Sequence, residues 1–216
     1  MVINLSEKYS LLSDWVAELR DVQVQNDRMR FRRNLERIGE AAALEISKKL
    51  PIETREVQTP LGTAVCQSLR EQPVLATILR AGLPLHQGML NYFDKADNAF
   101  ISAFRKHHPD GSFEISLEYL SCPDLDNRIL ILSDPMLATG ASLAKTIQHL
   151  RQEGQFAELH IVVAIACTTG IELVKRQEPS ATIWCGAIDE ELTAKSYIVP
   201  GLGDAGDLAY GIKSQH

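Results

Sequence analysis

The sequence has 216 residues, 45% hydrophobic and 23% charged, with a net charge of -6. That is enough chain for one sizeable core and an ordinary composition for a soluble globular protein. The acidic balance excludes non-specific nucleic-acid binding, which needs a basic footprint, but leaves room for an anionic substrate held by a few arginines.

No run of about 18 apolar residues is present, so no membrane span is expected. The opening MVINLSEKYSLL carries acids early and does not read as a signal peptide. The four cysteines, Cys66, Cys122, Cys167 and Cys185, are far apart, with no CxxC among them. They read as buried free thiols of a cytoplasmic protein.

In chain order, Asn26 to Leu50 reads as a long helix, with Phe31, Leu35, Ile38, Ala42 and Ile46 spaced by three and four. Its other face holds Arg28, Arg30, Arg32, Arg33 and Arg37. These read as a solvated face or a subunit contact rather than a phosphate site. Glu56 to Gly62 reads as a short strand and turn, and Leu61 to Leu69 as a helix. From there strands and helices alternate. Strands are expected at Val74 to Leu79, Ala99 to Phe104, Ile115 to Leu120, Arg128 to Leu132, Leu159 to Ala166 and Ala181 to Ala187. Helices are expected at Gly82 to Phe93, at Thr139 to Arg151, and after the strand ending at Ala166 through Arg176. This pattern predicts an α/β fold, a mainly parallel central sheet flanked by helices. We expect a single domain over 1–216, with 1–50 a mostly helical arm. In such sheets ligands sit beyond the carboxyl ends of strands.

Three strand ends carry chemistry. In ILSDPMLATGAS (131–142) an apolar run ends in Asp134, then turns through Thr139 and Gly140 into a helix. Backbone N–H groups at such a helix start cradle a phosphate, and a carboxylate at the lip suits ribose hydroxyls. No GK[ST] or GxGxxG accompanies it. The alternative is an ordinary turn with Asp134 as a cap. In ATILRAGL (76–83) Arg80 follows an apolar strand. An arginine there fits a pyrophosphate or pairs with a structural carboxylate. YIVPGLGDAGDLAYG (197–211) is too apolar for a loose tail. It reads as a shaped backbone loop that offers N–H and C=O groups to a flat heterocycle, or as a turn packed on the core.

Together ILRAGL, DPMLATGAS and YIVPGLGDAGD, in this order, resemble the uracil phosphoribosyltransferase family, and the EVQTPLG segment is similar as well. Other phosphoribosyltransferases carry two adjacent acids in the ribose-phosphate loop; Pro135 stands at the second, as in the uracil branch. The resemblance implies a phosphoribosyltransferase-like fold with a β-hairpin hood over the site. It implies transfer of the phosphoribosyl group of 5-phospho-α-D-ribose 1-diphosphate (PRPP) to uracil, giving UMP and diphosphate. It places Asp134, Pro135, Met136, Leu137, Ala138, Thr139, Gly140, Ala141 and Ser142 around the ribose 5-phosphate. Arg80 and Arg105 would face the pyrophosphate, and Ile198, Gly203, Asp204 and Ala205 the uracil, with Asp204 also facing PRPP. Mg²⁺ would come with PRPP and not through a direct side-chain ligand. A homodimer or larger homo-oligomer is implied, and the arginine-rich helix leaves open a nucleotide effector such as GTP.

The sequence departs from the family pattern in places. Ala141 stands for a glycine. Pro84 to Gln87 replaces a small or apolar run ending in an acid, and His86 there is expected to face solvent. Leu208 replaces a polar residue, and the tail IKSQH is long. His107 and His108 read as a hairpin tip rather than a metal site. The competing reading is a regulator that senses PRPP or UMP without turnover.

Overall fold

The computed structural model describes the backbone of residues 1–107 and 113–212, and the side chains of these residues except 103–118. The chain begins with a short strand β1 (Val2–Asn4), then helices α1 (Leu11–Arg20) and α2 (Arg28–Ser47). Side chains start both helices. Ser10 Oγ accepts the Leu12 N–H at 3.3 Å, and Asp27 accepts the Arg30 N–H at 3.0 Å. The apolar spacing read from the sequence is the buried stripe of α2. Next come β2 (Ile52–Thr59) and β3 (Gly62–Leu69), then β4 (Val74–Leu79), α3 (Leu83–Leu90), β5 (Asp97–His107) and β6 (Phe113–Ser121). The second half holds β7 (Ile129–Ser133), β8 (Met136–Leu137), α4 (Ala141–Glu153), β9 (Glu158–Cys167), α5 (Thr168–Gln177) and β10 (Thr182–Asp189). The chain closes with β11 (Glu191–Leu192), β12 (Ile198–Val199) and α6 (Ala205–Tyr210).

The main sheet has the order β1-β10-β9-β7-β4-β5-β6, with β8 added along β9. All neighbours are parallel except β5 and β6. Its central strands alternate between two cores. Leu75 and Ile131 face the side of α1, α2 and α3, while Val74, Ala76, Leu130 and Leu132 face the side of α4 and α5. A strand buried on both faces explains why VLATIL and ILILS are apolar but for Thr77 and Ser133.

One expected element is wrong. Leu61 to Leu69 is not a helix but lies within the antiparallel ribbon of β2 and β3, paired from Thr59↔Gly62 to Ile52↔Leu69. A short, mildly apolar run does not by itself separate strand from helix. Here the turn decides, with Thr59 Oγ1 donating to the Gly62 carbonyl at 2.8 Å. Of the four free cysteines, Cys167 and Cys185 are buried, while Cys66 and Cys122 are only half-buried. His86 does not face solvent: it is 3% exposed, its Nε2 is 2.9 Å from Asn98 Oδ1, and its ring tilts against Phe100. The sequence reading failed here because His86 falls on the face of α3 that meets the sheet. Among the described residues no helix is long and apolar enough to cross a membrane.

The topology makes a crevice. From β4 the chain runs through α3 to β5 on one side; from adjacent β7 it runs through α4 to β9 on the other. Connections that leave neighbouring strands in opposite directions part at their carboxyl ends. Those ends are Arg80 and Asp134.

Candidate active site

The loop after β7 is more built than a simple turn. The Asp134 N–H donates to the Val162 carbonyl at 3.1 Å, and the Pro135 carbonyl accepts both the Ala164 and Ile165 N–H groups at 3.0 Å. Proline has no N–H to leave unsatisfied here, and its carbonyl stitches the loop to β9. Met136 and Leu137 then pair with Ile165 and Ala166 as β8. Leu137 is fully buried, so its side chain serves the core and only its backbone faces the loop. Thr139 Oγ1 accepts the Ala141 N–H at 3.3 Å. Gly140 caps α4 with φ +83°, and no side chain bonds the helix start. A Cβ at Gly140 would lie 2.9 Å from the Gly170 carbonyl oxygen. Ala141 and Ser142, both half-buried, open α4, whose first N–H groups have no intrahelical acceptors. A helix start of this kind can seat an anion.

Asp134 stands at its lip. Burial pushes its carboxyl up to about 7, and a weak hydrogen bond from the Met136 N–H, at 3.4 Å, pulls the other way. Hydroxyl donors arriving at this carboxyl would favour its ionised form.

The loop after β4 lies against this one. A Cβ on Gly82 would lie 3.1 Å from the Ser133 carbonyl oxygen and 2.7 Å from that of Ile78, so only glycine fits. Below it Thr77 Oγ1 donates to the Ser133 carbonyl at 3.3 Å and Ser133 Oγ to the Ala76 carbonyl at 3.1 Å. These two buried hydroxyls lock β4 to β7 under both loops. The sequence left two partners open for Arg80, and here it meets a carboxylate. Its Nη2 reaches the Gly211 carbonyl at 2.5 Å and Asp207 Oδ1 at 3.3 Å, with Tyr210 beside it, while its Nε is buried without a partner.

The third loop completes the crevice. Ile198, on β12, is buried; Gly203 (φ +96°) and Asp204 are exposed; Ala205 is buried at the start of α6. Asp204 caps that helix by accepting the Asp207 N–H at 2.9 Å. One of its oxygens is thus engaged in structure, which weakens any claim that it is a free base. A Cβ on Gly206 would lie 3.8 Å from Ala81 Cβ, which puts α6 against the Arg80 loop.

Arg105 lies on β5 with Ile115 as its Cα partner, beyond Ser102, where pairing with β4 ends. Its side chain falls outside the described residues, as does His108; His107 ends β5 opposite Phe113. Among the described residues no three His, Cys, Asp or Glu side chains gather as a metal site. Among the described residues Asp134, Asp204 and Asp207 are the carboxylates carried by the three loops, and Asp207 is engaged by Arg80. The donor set therefore fits a divalent ion held mainly by substrate oxygens and water, with at most one or two protein carboxylates.

Comparisons with known proteins agree with this geometry. The family model described as uracil phosphoribosyltransferase matches residues 6–212. The chain belongs to this family. A uracil phosphoribosyltransferase of Porphyromonas gingivalis is 52% identical over 213 residues, covering 98% of this chain and 99% of the relative. One from Methanococcus maripaludis is 36% identical over 203 residues, covering 93% of this chain and 86% of the relative. Among solved structures, the AQ2163 protein from Aquifex aeolicus superposes with a TM-score of 0.88 at 29% identity, over the full length of both chains. The sequence reading missed three residues of this uracil phosphoribosyltransferase that the site leans on: Asp207, which holds Arg80, and Arg20 with Asp189, which hold the third loop. Asp207 sits inside a motif already singled out. Arg20 and Asp189 lie 169 positions apart, and nothing local connects them.

Proposed function

We propose that the three loops divide the labour of one reaction, the transfer of the phosphoribosyl group of PRPP to uracil, giving UMP and diphosphate. The observation that carries this is the meeting of all three at one crevice, in a chain that the family model covers almost end to end. Met136 to Ser142 hold the 5-phosphate through backbone N–H groups, and Asp134 accepts the ribose hydroxyls. Pro135 and Leu137 contribute by fixing the backbone. Arg80, and Arg105 from the strand pair beyond β4, face the diphosphate. Breaking the C1–O bond builds positive charge on the ribose and negative charge on the diphosphate, and the Arg80 guanidinium, held by Asp207 and the Gly211 carbonyl, stabilises the latter. Mg²⁺ accompanying PRPP supplies further charge neutralisation at the diphosphate oxygens.

Ile198, Gly203 and Ala205 present backbone groups to the acceptor–donor–acceptor edge of uracil. Cytosine would leave such groups mispaired, which gives discrimination. Holding the base against C1 makes the step effectively intramolecular. Asp204, fixed as a helix cap, contributes negative charge near the developing cation.

The chain is proposed to act in the cytoplasm as a homodimer or larger homo-oligomer. Supporting an oligomer, the β2–β3 ribbon leaves Ile52, Leu61 and Val65 exposed, with Tyr92 half-exposed beyond its base. A lone two-stranded ribbon gains stability from a partner surface. For a nucleotide effector such as GTP the α2 arginines offer little. Arg30 pairs with Glu18 and Arg33 with Glu36, while Arg32 donates to the Ala209 carbonyl and Arg37 to Asn34. No observation favours the regulator over the enzyme.

Incubation of the pure protein with labelled uracil, PRPP and Mg²⁺ is expected to yield labelled UMP, and a chelator is expected to stop it. Turnover of hypoxanthine or orotate in place of uracil would overturn the base assignment. Binding of PRPP with no product from any base would favour the regulator.

A further inference from the structure

Against the third loop lies an ion pair that none of the three motifs contains. Arg20 is the last residue of α1, and Asp189 is the last residue of β10. The two meet as a fork, Nη1 to Oδ2 and Nη2 to Oδ1, both at 2.8 Å. Asp189 is 7% exposed and Arg20 23%. Neither spends its whole capacity on the other. Asp189 Oδ2 also accepts the Gly201 N–H at 2.9 Å, and Arg20 Nη1 also donates to the Gly201 carbonyl at 3.0 Å. Both main-chain groups of one glycine are therefore held by one ion pair.

That glycine is the pivot of the loop. Gly201 has φ +56°, and a Cβ on it would collide with the Ile198 carbonyl oxygen. It sits midway between Ile198 and Gly203. Arg20 is itself anchored, since its carbonyl accepts from Gln25 Nε2 at 2.9 Å and Gln25 is 8% exposed. A buried carboxylate costs stability unless it is paired and fully bonded, and here its bonds fix a backbone, not just a cation. Charge-assisted bonds in a fork define direction as well as distance.

We propose that Arg20 and Asp189 are positioning residues for uracil: the pair sets the path of the backbone from Ile198 to Gly203, and so the edge that the base meets. This rests on the assignment of that loop to uracil. The pair touches neither substrate. It ties the N-terminal helical arm to the base site and gives the arm a part in substrate selection.

Steady-state kinetics on the full chain, with uracil and PRPP varied separately and the thermal midpoint recorded, test this. Arg20→Met is expected to raise KM for uracil about tenfold and leave KM for PRPP within about twofold. Arg20→Lys keeps a cation against Asp189 without the fork and is expected to fall between wild type and Arg20→Met. Gly201→Ala perturbs the loop directly and is expected to raise KM for uracil with the ion pair intact. If Gly201→Ala does so while folded Arg20→Met matches wild type, the positioning role is overturned and the loop assignment stands. If Gly201→Ala acts on PRPP instead, the loop assignment falls and the positioning role with it. Should Arg20→Met fail to fold, Arg20→Lys decides by the same split: a rise confined to uracil supports the role, and none refutes it.

Discussion

Asp134→Asn is expected to lower kcat/KM for PRPP by about 100-fold while changing KM for uracil by less than about threefold. The carboxylate is the proposed acceptor for ribose hydroxyls, and two hydrogen bonds to an ionised group account for a loss of that order. An amide has one carbonyl acceptor and an N–H₂ that meets a hydroxyl only by a changed geometry. The same variant should be the more stable protein. In the folded state the carboxyl keeps its proton up to about 7, whereas its ordinary value is 3.8. Between those values the folded chain holds the extra proton, so Asp134 costs stability progressively as pH rises through that window. The uncharged amide of the variant carries no such cost. Its advantage in thermal midpoint should therefore grow from about pH 4 to 7 and then level off. Equal loss of PRPP and uracil affinity would contradict the ribose role. A stability gain independent of pH would contradict the buried carboxyl.

Gly88→Ala is expected to cost about 3 kcal/mol of stability and to lower activity only through the folded fraction. Helices α2 and α3 cross where Gly39 meets the Leu85 carbonyl and Gly88 meets the Glu36 carbonyl; a Cβ on Gly88 would collide with that oxygen and sit 2.9 Å from the Glu40 nitrogen. Backbone cannot swing aside as a side-chain tip can, so the helices must separate. Urea unfolding of the purified variant reads the loss. A change below about 0.5 kcal/mol would mean that the helices separate without cost.

Much of this was legible in the chain itself, for physical reasons. VLATIL and ILILS are buried on both faces and had to be nearly all apolar, so the charged residues just after them, Arg80 and Asp134, stood out at the rim. DPMLATG and GLGDAGD are backbone-built, and backbone shape writes itself as glycine, proline and short side chains. What escaped was set by tertiary contact. No residue of the 62–69 strand is fully buried and only Leu69 packs on the core, so the strand carries no strong apolar alternation. His86 is buried because α3 turns it toward Asn98, a residue on another strand. Arg80 turns to Asp207 and the Gly211 carbonyl, a choice that its own neighbours do not encode. The Arg20–Asp189 fork joins distant segments through a glycine's main chain, and no spacing rule reaches it.

A crystal structure of the protein with UMP tests the division of labour among the loops most directly. The account predicts the 5-phosphate on the backbone N–H groups of 138–142, the ribose hydroxyls at Asp134, and the uracil edge on the main chain of Ile198, Gly203 and Ala205. A base lodged elsewhere, or a phosphate seated on the α2 arginines in place of the α4 helix start, would contradict it.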